Sequence, residues 1–130
     1  MSSPDGEIGP DGTSVASAYG SGFRLHSLQG KLLVESEAVE TPASSVVRFT
    51  PDGRHILTLD SAGLRVWGAD GKFRRSIAPT EDQLRKAGEN SHRLAISRDS
   101  RIAVCGQDSL DVWSLEGQHL RSLASHRLPR

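Results

Sequence analysis

The stretch RFTPDGRHILTLDSAGLRVWGADGK, residues 48–72, carries the pattern on which the fold of this 130-residue chain depends. It holds three turn-forming groups rich in Pro, Asp and Gly, separated by two apolar runs, the second of which ends near Trp67. Proline presets φ, aspartate accepts hydrogen bonds from its own backbone, and glycine permits positive φ, so each group favours a tight turn. Short aliphatic and β-branched runs between tight turns predict antiparallel strands.

The same pattern occurs three times. Residues 9–33 align with residues 50–74 without a gap, at an offset of 41 residues. A third copy, over 97–123, has one residue deleted before its tryptophan and lies 46 to 47 residues after the second. Residues that recur from copy to copy are expected to have a structural role in the repeat. These predicted repeat positions are Asp11, Gly12, Asp52, Gly53, Trp67, Asp99 and Trp113.

Each copy contains about four strand signals, and four short strands in roughly 40 to 45 residues form one blade of a β-propeller. We therefore predict an all-β chain of about three four-stranded antiparallel blades, a partial β-propeller. Thr80 and Gln83 have the spacing of a capping box, and Gly88 is a helix stop, which predicts a short helical insertion near 80–88. The predicted organisation is an N-terminal tail (1–7), a repeat region (8–126) with copies at about 8–36, 43–78 and 91–124, and a C-terminal tail (127–130).

The copies resemble WD (tryptophan-aspartate) repeats of the bacterial type. In the second copy a Pro-Asp-Gly turn joins the first two strands and Trp67 ends the third, as in that family. The resemblance extends from about residue 8 to 126 and implies a propeller that acts as a platform for protein partners, through loops on one face of the ring. In bacteria, propellers of this family are often attached to a signalling NTPase or a kinase, which is a further implication of the resemblance.

The chain departs from the family pattern at several positions. Gly68 and Ser114 follow the tryptophans where the family has aspartate, and His26 stands in the tryptophan place of the first copy. The family's Asp-His-Ser-Trp hydrogen-bond network is therefore not carried over as a set, and only the Trp positions and the turns are. Propellers of the TolB type, with Pro-Asp-Gly turns but no regular Trp, are a second resemblance.

Composition limits the classes of partner. Sixteen basic residues balance sixteen acidic ones, so no global positive field attracts nucleic acid or an anionic membrane. The sequence has neither a signal-peptide pattern at its start nor an apolar run long enough to span a bilayer. We expect protein partners, no nucleic acid, no membrane and a cytoplasmic location.

No pattern of catalytic residues stands out. The five histidines are scattered, without the spacing of metal ligands, and no Gly-x-Ser-x-Gly elbow or phosphate-binding loop occurs. Ser, His and Asp are frequent, but a sequence does not supply the geometry of a triad. We predict no catalytic residue, no cofactor and no metal site, and a turn role rather than calcium binding for the repeated aspartates. The tryptophans are expected to pack between blades, with an exposed partner contact as the alternative.

Three blades are fewer than the four to eight that close a ring. The expectation is a segment of a longer propeller, a gene remnant, or a protomer that completes a ring with other copies or another chain. The predicted function is a noncatalytic protein-interaction scaffold. The alternative is an accessory propeller fragment of a larger enzyme, such as a signalling NTPase, kinase or hydrolase, whose catalytic part lies elsewhere. A convergent His/Asp/Glu set at one end of the channel is the feature that distinguishes a hydrolase.

Overall fold

A computed structural model describes residues 6–40, 43–60, 63–77, 93–105 and 109–124. Within these ranges the regular structure consists of twelve β-strands in three four-stranded sheets. Blade 1 comprises β1 (Gly6–Ile8), β2 (Ser14–Tyr19), β3 (Gly22–Ser27) and β4 (Leu32–Glu35). Blade 2 comprises β5 (Val46–Phe49), β6 (His55–Asp60), β7 (Gly63–Gly68) and β8 (Phe73–Ile77). Blade 3 comprises β9 (Arg93–Ile96), β10 (Ile102–Cys105), β11 (Ser109–Trp113) and β12 (His119–Ala124).

The strands of each blade follow one another in chain order and pair antiparallel. This confirms the predicted all-β class with three four-stranded blades, a partial propeller. Blade 1 begins at Gly6, two residues before the start predicted for the first copy. The helical insertion predicted near 80–88 lies outside the described residues. Within the described part of the chain, no helix has the length and apolarity needed to cross a membrane.

The register of the second and third strands is the same in every blade. Val15 pairs with His26, and the two later copies repeat this with an isoleucine opposite a tryptophan. Each blade also has a bulge at the same point of its third strand, directly before the tryptophan position. A β-bulge bends the strand and raises its local twist, so the repeated bulge gives the three sheets a common shape. The equivalent pairs in blades 2 and 3 are Ile56 with Trp67 and Ile102 with Trp113.

The deleted residue of the third copy lies in its first turn. In blade 2 the Thr50 N–H donates to the carbonyl of His55 across that turn, at 3.0 Å. In blade 3 the Ser97 N–H donates to the carbonyl of Arg101, one residue less along the chain, at 2.9 Å. The deletion therefore shortens a loop and leaves the registers of the strands unchanged.

The blades pack face to face. We call the side of a blade toward the preceding blade its N-side face and the opposite side its C-side face. Each core cluster joins the C-side face of one blade to the N-side face of the next. The cluster between blades 1 and 2 contains Ala16, Phe23, Leu25, Val47, Phe49, Ile56 and Trp67. The cluster between blades 2 and 3 contains Leu57, Leu59, Leu64, Val66, Ile77, Leu94, Ile102, Val104 and Trp113.

The first strands of the blades lie together. β5 contacts β1 on one side and β9 on the other, so these strands line the inside of the arc and the fourth strands lie outside. Since the strands alternate in direction, the turn after the first strand and the turn after the third strand of each blade emerge at one end. We call this end the turn face. Its turns are residues 10–12, 28–30, 51–53, 69–71, 98–100 and 115–117.

Candidate protein-interaction surface

Three of the six turns on the turn face are closed by an aspartate that accepts the backbone N–H two residues later. Asp11 Oδ1 accepts the N–H of Thr13 at 3.0 Å, and Asp52 Oδ1 accepts the N–H of Arg54 at the same distance. The glycines that follow have φ of 75° (Gly12) and 73° (Gly53), a left-handed conformation that only glycine adopts without strain. Hydrogen bonds from Thr13 hold the pKa of Asp11 below its ordinary value. These aspartates serve their own loops.

The first turn of blade 3 is one residue shorter and has no glycine. Ser100 takes the glycine position with φ of 63°. Asp99 accepts a hydrogen bond from the hydroxyl of Ser97, which lowers the pKa of its carboxyl. A left-handed conformation costs a non-glycine residue about 1 to 2 kcal/mol, so this turn is the strained member of the set.

Trp67 lies between blades 1 and 2 with none of its surface exposed. Its ring packs edge-on against Phe23 at 5.9 Å and against Phe73 at 5.3 Å between ring centroids. The indole Nε1 donates to the hydroxyl of Thr58 on β6, at 2.8 Å. The large aromatic area therefore fills the space between two blades while its polar atom is satisfied.

Trp113 has the same place in blade 3 but a different polar environment. It is 8 % exposed and packs against the His119 ring at 4.7 Å. Val104 stands where blade 2 has Thr58, and the buried Nε1 of Trp113 has no hydrogen-bond partner among the described residues. Both tryptophans thus pack between blades instead of lying exposed. His26, at the tryptophan position of blade 1, is half-buried.

Sequence reasoning missed a buried ion pair in blade 2. Arg65 and Asp60 lie on the N-side face with their Nε and Oδ2 atoms 3.3 Å apart, and they are 6 % and 2 % exposed. Asp60 follows Leu59, and Arg65 stands between Leu64 and Val66. Charged residues within such apolar strands were the sequence signal that could have indicated a buried ion pair. A charge is buried at low cost only when paired.

Among the residues that the structure describes, Ser, His and Asp side chains meet in a cluster on β11 and β12. His119 Nε2 lies 3.0 Å from Asp111 Oδ1 and 3.4 Å from Ser122 Oγ, and the serine hydroxyl donates to the same aspartate oxygen. In a catalytic triad the histidine uses one nitrogen for the serine and the other for the aspartate. Here one nitrogen faces both, and the cluster lies on the third and fourth strands, away from the inside of the arc. This geometry does not activate the serine.

Within the described part of the chain, no group of three His, Cys, Asp or Glu side chains could hold a metal ion. The seven predicted repeat positions are also not gathered in one site. A cavity of about 440 Å³ between the first turns of blades 1 and 2 brings Asp11, Asp52 and Gly53 together with Leu25 and Phe49. Asp99 and the two tryptophans lie elsewhere.

A second cavity, of about 420 Å³, lies on the inside of the arc and reaches the turn face. Apolar side chains from three blades alternate in its wall with one acid and one base. The Glu7 carboxylate accepts the N–H of Phe49 at 2.7 Å, and its other oxygen lies 3.7 Å from Arg48 Nε. We call it the inner groove, and it is lined by Glu7, Ile8, Pro10, Arg48, Phe49, Thr50, Pro51, Leu94, Ala95 and Ile96.

Comparison with solved structures identifies the architecture. The structure of U3-55K, a WD40 β-propeller protein, superposes with a TM-score of 0.69 and 15 % sequence identity over 94 % of this chain. The chain has a WD40-like fold. It spans 39 % of the length of the U3-55K chain. No family model and no curated protein matches the sequence.

Proposed function

We propose that this chain is a noncatalytic protein-interaction scaffold whose inner groove binds a short segment of a partner protein at the turn-face end. The observation that carries the proposal is the groove itself, which takes its wall from the first strands of all three blades. Its lining mixes apolar side chains with one acid and one base, as binding surfaces for peptides do. The WD40-like fold supports the same coarse role.

The walls of the groove are held in place before any partner arrives. Pro10 and Pro51 lie in turns that are closed by aspartate hydrogen bonds. The Glu7 carboxylate on β1 accepts the N–H of Phe49 on β5 and so links the two strands. This preorganisation reduces the conformational entropy that is lost on binding, which favours affinity. We expect the partner segment to contribute one bulky apolar side chain beside Phe49 and a polar group near the Glu7–Arg48 pair.

Selection from a peptide library on the immobilised chain, followed by amide chemical-shift mapping with a selected peptide, tests this function. We expect the largest shifts at Ile8, Thr50 and Ile96, around the groove. Pro51→Glu should weaken binding of that peptide at least tenfold, whereas Leu33→Glu on the outer strand should leave it unchanged. Shifts confined to the outer strands, or equal effects of the two variants, would contradict the assignment.

Three further assignments belong to this proposal. The repeats are of the bacterial type because Pro10-Asp11-Gly12 and Pro51-Asp52-Gly53 close the first turns. The balance of sixteen basic and sixteen acidic residues favours protein over nucleic acid or membrane as partner. The cytoplasm is the proposed location.

A further inference from the structure

Blades 1 and 3 stand at the two ends of the arc. The outward face of each has the residue pattern of one side of the contact that joins successive blades inside the chain. On the C-side face of blade 2, Leu57, Leu64 and Val66 are fully buried against blade 3. The register places Ala103, Leu110 and Val112 at the same positions of blade 3, where they are only half-buried. This apolar face has the pattern of a blade contact without a described blade against it.

The N-side face of blade 1 is its counterpart. Ile8 and Leu32 are 62 % and 47 % exposed, and they correspond to Phe49 and Phe73, which pack in the cluster between blades 1 and 2. Arg24 on this face corresponds to the buried Arg65, and its charge is already paired with Glu35 at 2.9 Å. Covering this face therefore buries apolar surface without leaving that cation unpaired.

The turns after the third strands show where a preceding blade docks. A Cβ atom at Gly71 would lie 2.8 Å from Val34 of blade 1, and one at Gly117 would lie 3.5 Å from Ile77 of blade 2. Each turn therefore rests on the outer strand of the blade before it. A Cβ atom at Gly30, the same position of blade 1, would have no described atom within 4 Å apart from those of Gly30 and its two chain neighbours.

A specific hydrogen bond marks the internal contact between blades 2 and 3. The Arg75 guanidinium on β8 donates to the carbonyl of Leu115 at 2.7 Å, and the Leu115 side chain packs against the cluster between these blades. Both halves of this contact recur at the ends of the arc. Arg121 pairs with Val112 as Arg75 pairs with Val66, and it is exposed. Leu28 stands at the Leu115 position of blade 1 and is 55 % exposed.

The two turns that carry these leucines are alike in sequence and in bonding. Residues 27–31 read SLQGK and residues 114–118 read SLEGQ. In both, the serine hydroxyl accepts the N–H four residues later, at 3.1 Å in blade 1 and 3.0 Å in blade 3. Blade 1 therefore presents the same docking element that blade 3 uses against Arg75.

We infer that blade 3 of one copy of this chain docks its C-side face on the N-side face of blade 1 of a second copy, with Arg121 donating to the Leu28 carbonyl. A head-to-tail contact either closes a ring or grows into a filament. Two copies supply six blades, within the four to eight that close a propeller. In the closed dimer, the C-side face of blade 3 in each copy is covered by the N-side face of blade 1 in the other copy.

The solution mass of the purified chain, measured by light scattering after size exclusion, tests this inference. We expect twice the 14.0 kDa chain mass. Leu28→Asp and Arg121→Glu should each abolish the dimer while far-ultraviolet circular dichroism stays that of a β protein. Leu33→Asp is the matched control, since Leu33 is 48 % exposed on the outer strand and aligns with the exposed Arg74. It should leave the dimer intact.

Mixing the two variants separates a head-to-tail dimer from a dimer through like surfaces. In a head-to-tail pair, the intact Arg121 of the Leu28→Asp chain faces the intact Leu28 of the Arg121→Glu chain. One native contact is restored, and dimer mass should reappear in the mixture only. A folded monomeric wild-type chain, equal dissociation by Leu33→Asp, or no dimer on mixing would each overturn the inference. Leu28 and Arg121 lie outside the inner groove, so their substitution leaves the lining of the groove intact. Ile8 belongs to both surfaces, and the peptide-binding result is therefore judged on Thr50, Ile96 and the Pro51→Glu variant.

Discussion

Trp67 and Trp113 occupy the same place in successive blades, yet only the first has its indole N–H satisfied. In blade 2 the Thr58 hydroxyl accepts that hydrogen at 2.8 Å. In blade 3 the corresponding residue is Val104, and Trp113 packs instead against His119 beside Asp111. The repeat thus preserves the volume that fills the gap between blades, while the polar contacts around it differ from copy to copy.

The difference shows where stability is concentrated. Blade 2 is covered on both faces, and its N-side face carries a satisfied tryptophan and a paired Arg65. In blade 3 one polar atom of the equivalent tryptophan has no partner among the described residues. An unsatisfied buried donor costs about 1 to 3 kcal/mol. We therefore expect substitutions in blade 2 to cost more than their counterparts in blade 3.

Trp67→Ala should give the largest loss. Truncating a fully buried tryptophan removes its contacts and leaves a cavity, at about 3 to 5 kcal/mol. Trp113→Ala should cost measurably less because that side chain is partly exposed and its indole N–H makes no bond. Urea unfolding followed by circular dichroism measures both, and equal losses for the two variants would contradict the comparison.

Arg65→Met should cost about 3 kcal/mol in the free energy of unfolding. The substitution keeps most of the side-chain volume but leaves the buried Asp60 without the guanidinium that faces it. Arg74→Met is the matched control, because Arg74 pairs with Asp70 at 3.5 Å on the surface and such pairs contribute at most about 1 kcal/mol. If Arg65→Met were as mild as the control, the buried pair would not stabilise blade 2.

Thr58→Val and Val104→Thr exchange the polar environments of the two tryptophans. Thr58→Val should destabilise the chain by about 1 to 2 kcal/mol because it leaves the Trp67 N–H unsatisfied. Val104→Thr offers the Trp113 N–H an acceptor and should be neutral or stabilising by up to about 1 kcal/mol. Hydrogen exchange of the indole N–H groups reports the change directly: protection should fall at Trp67 and rise at Trp113. Unchanged exchange at both sites would disprove the role of Thr58.

The sequence was sufficient to predict the architecture because it depends on local signals. The Pro-Asp-Gly turns and the 41-residue offset predict three blades, and the run HILTLD coincides with β6. Contacts between blades were not predictable in this way. Strand alternation assigns Phe23 and Trp67 to faces of their blades, but whether the two rings meet depends on how the two sheets pack. The same holds for the bond from Arg75 to Leu115, which joins residues 40 positions apart.

Ser100→Gly should stabilise the chain by about 1 kcal/mol. Ser100 has φ of 63°, where Gly12 and Gly53 stand in the other blades, so glycine removes the cost of a left-handed serine. Thermal unfolding of this variant beside Ser100→Ala, which keeps a Cβ atom at the same φ, checks the reason, and a loss of stability in Ser100→Gly would contradict it.

The smallest expected effect is on the stability of the chain at low pH. Hydrogen bonds from the Thr50 hydroxyl and the Arg54 N–H lower the pKa of Asp52, and those from Ser97 lower the pKa of Asp99. A carboxyl whose pKa is lower in the folded state stabilises the chain above its unfolded value near 3.8, and this contribution is lost as the pH falls through the folded value. Asp52→Asn should therefore flatten the acid limb of a stability-against-pH curve slightly. An unchanged acid limb would show that the turn bond contributes nothing to it.

Nuclear Overhauser contacts between blades test the stacked-blade account most directly. We predict cross-peaks from the Phe23 ring to the Trp67 indole, whose centroids are 5.9 Å apart, and from the γ1 methylene of Ile77 to Gly117. Cross-strand contacts within blade 2, such as Ile56 to Trp67, serve as the internal reference. Presence of the reference contacts with absence of both contacts between blades would contradict the account.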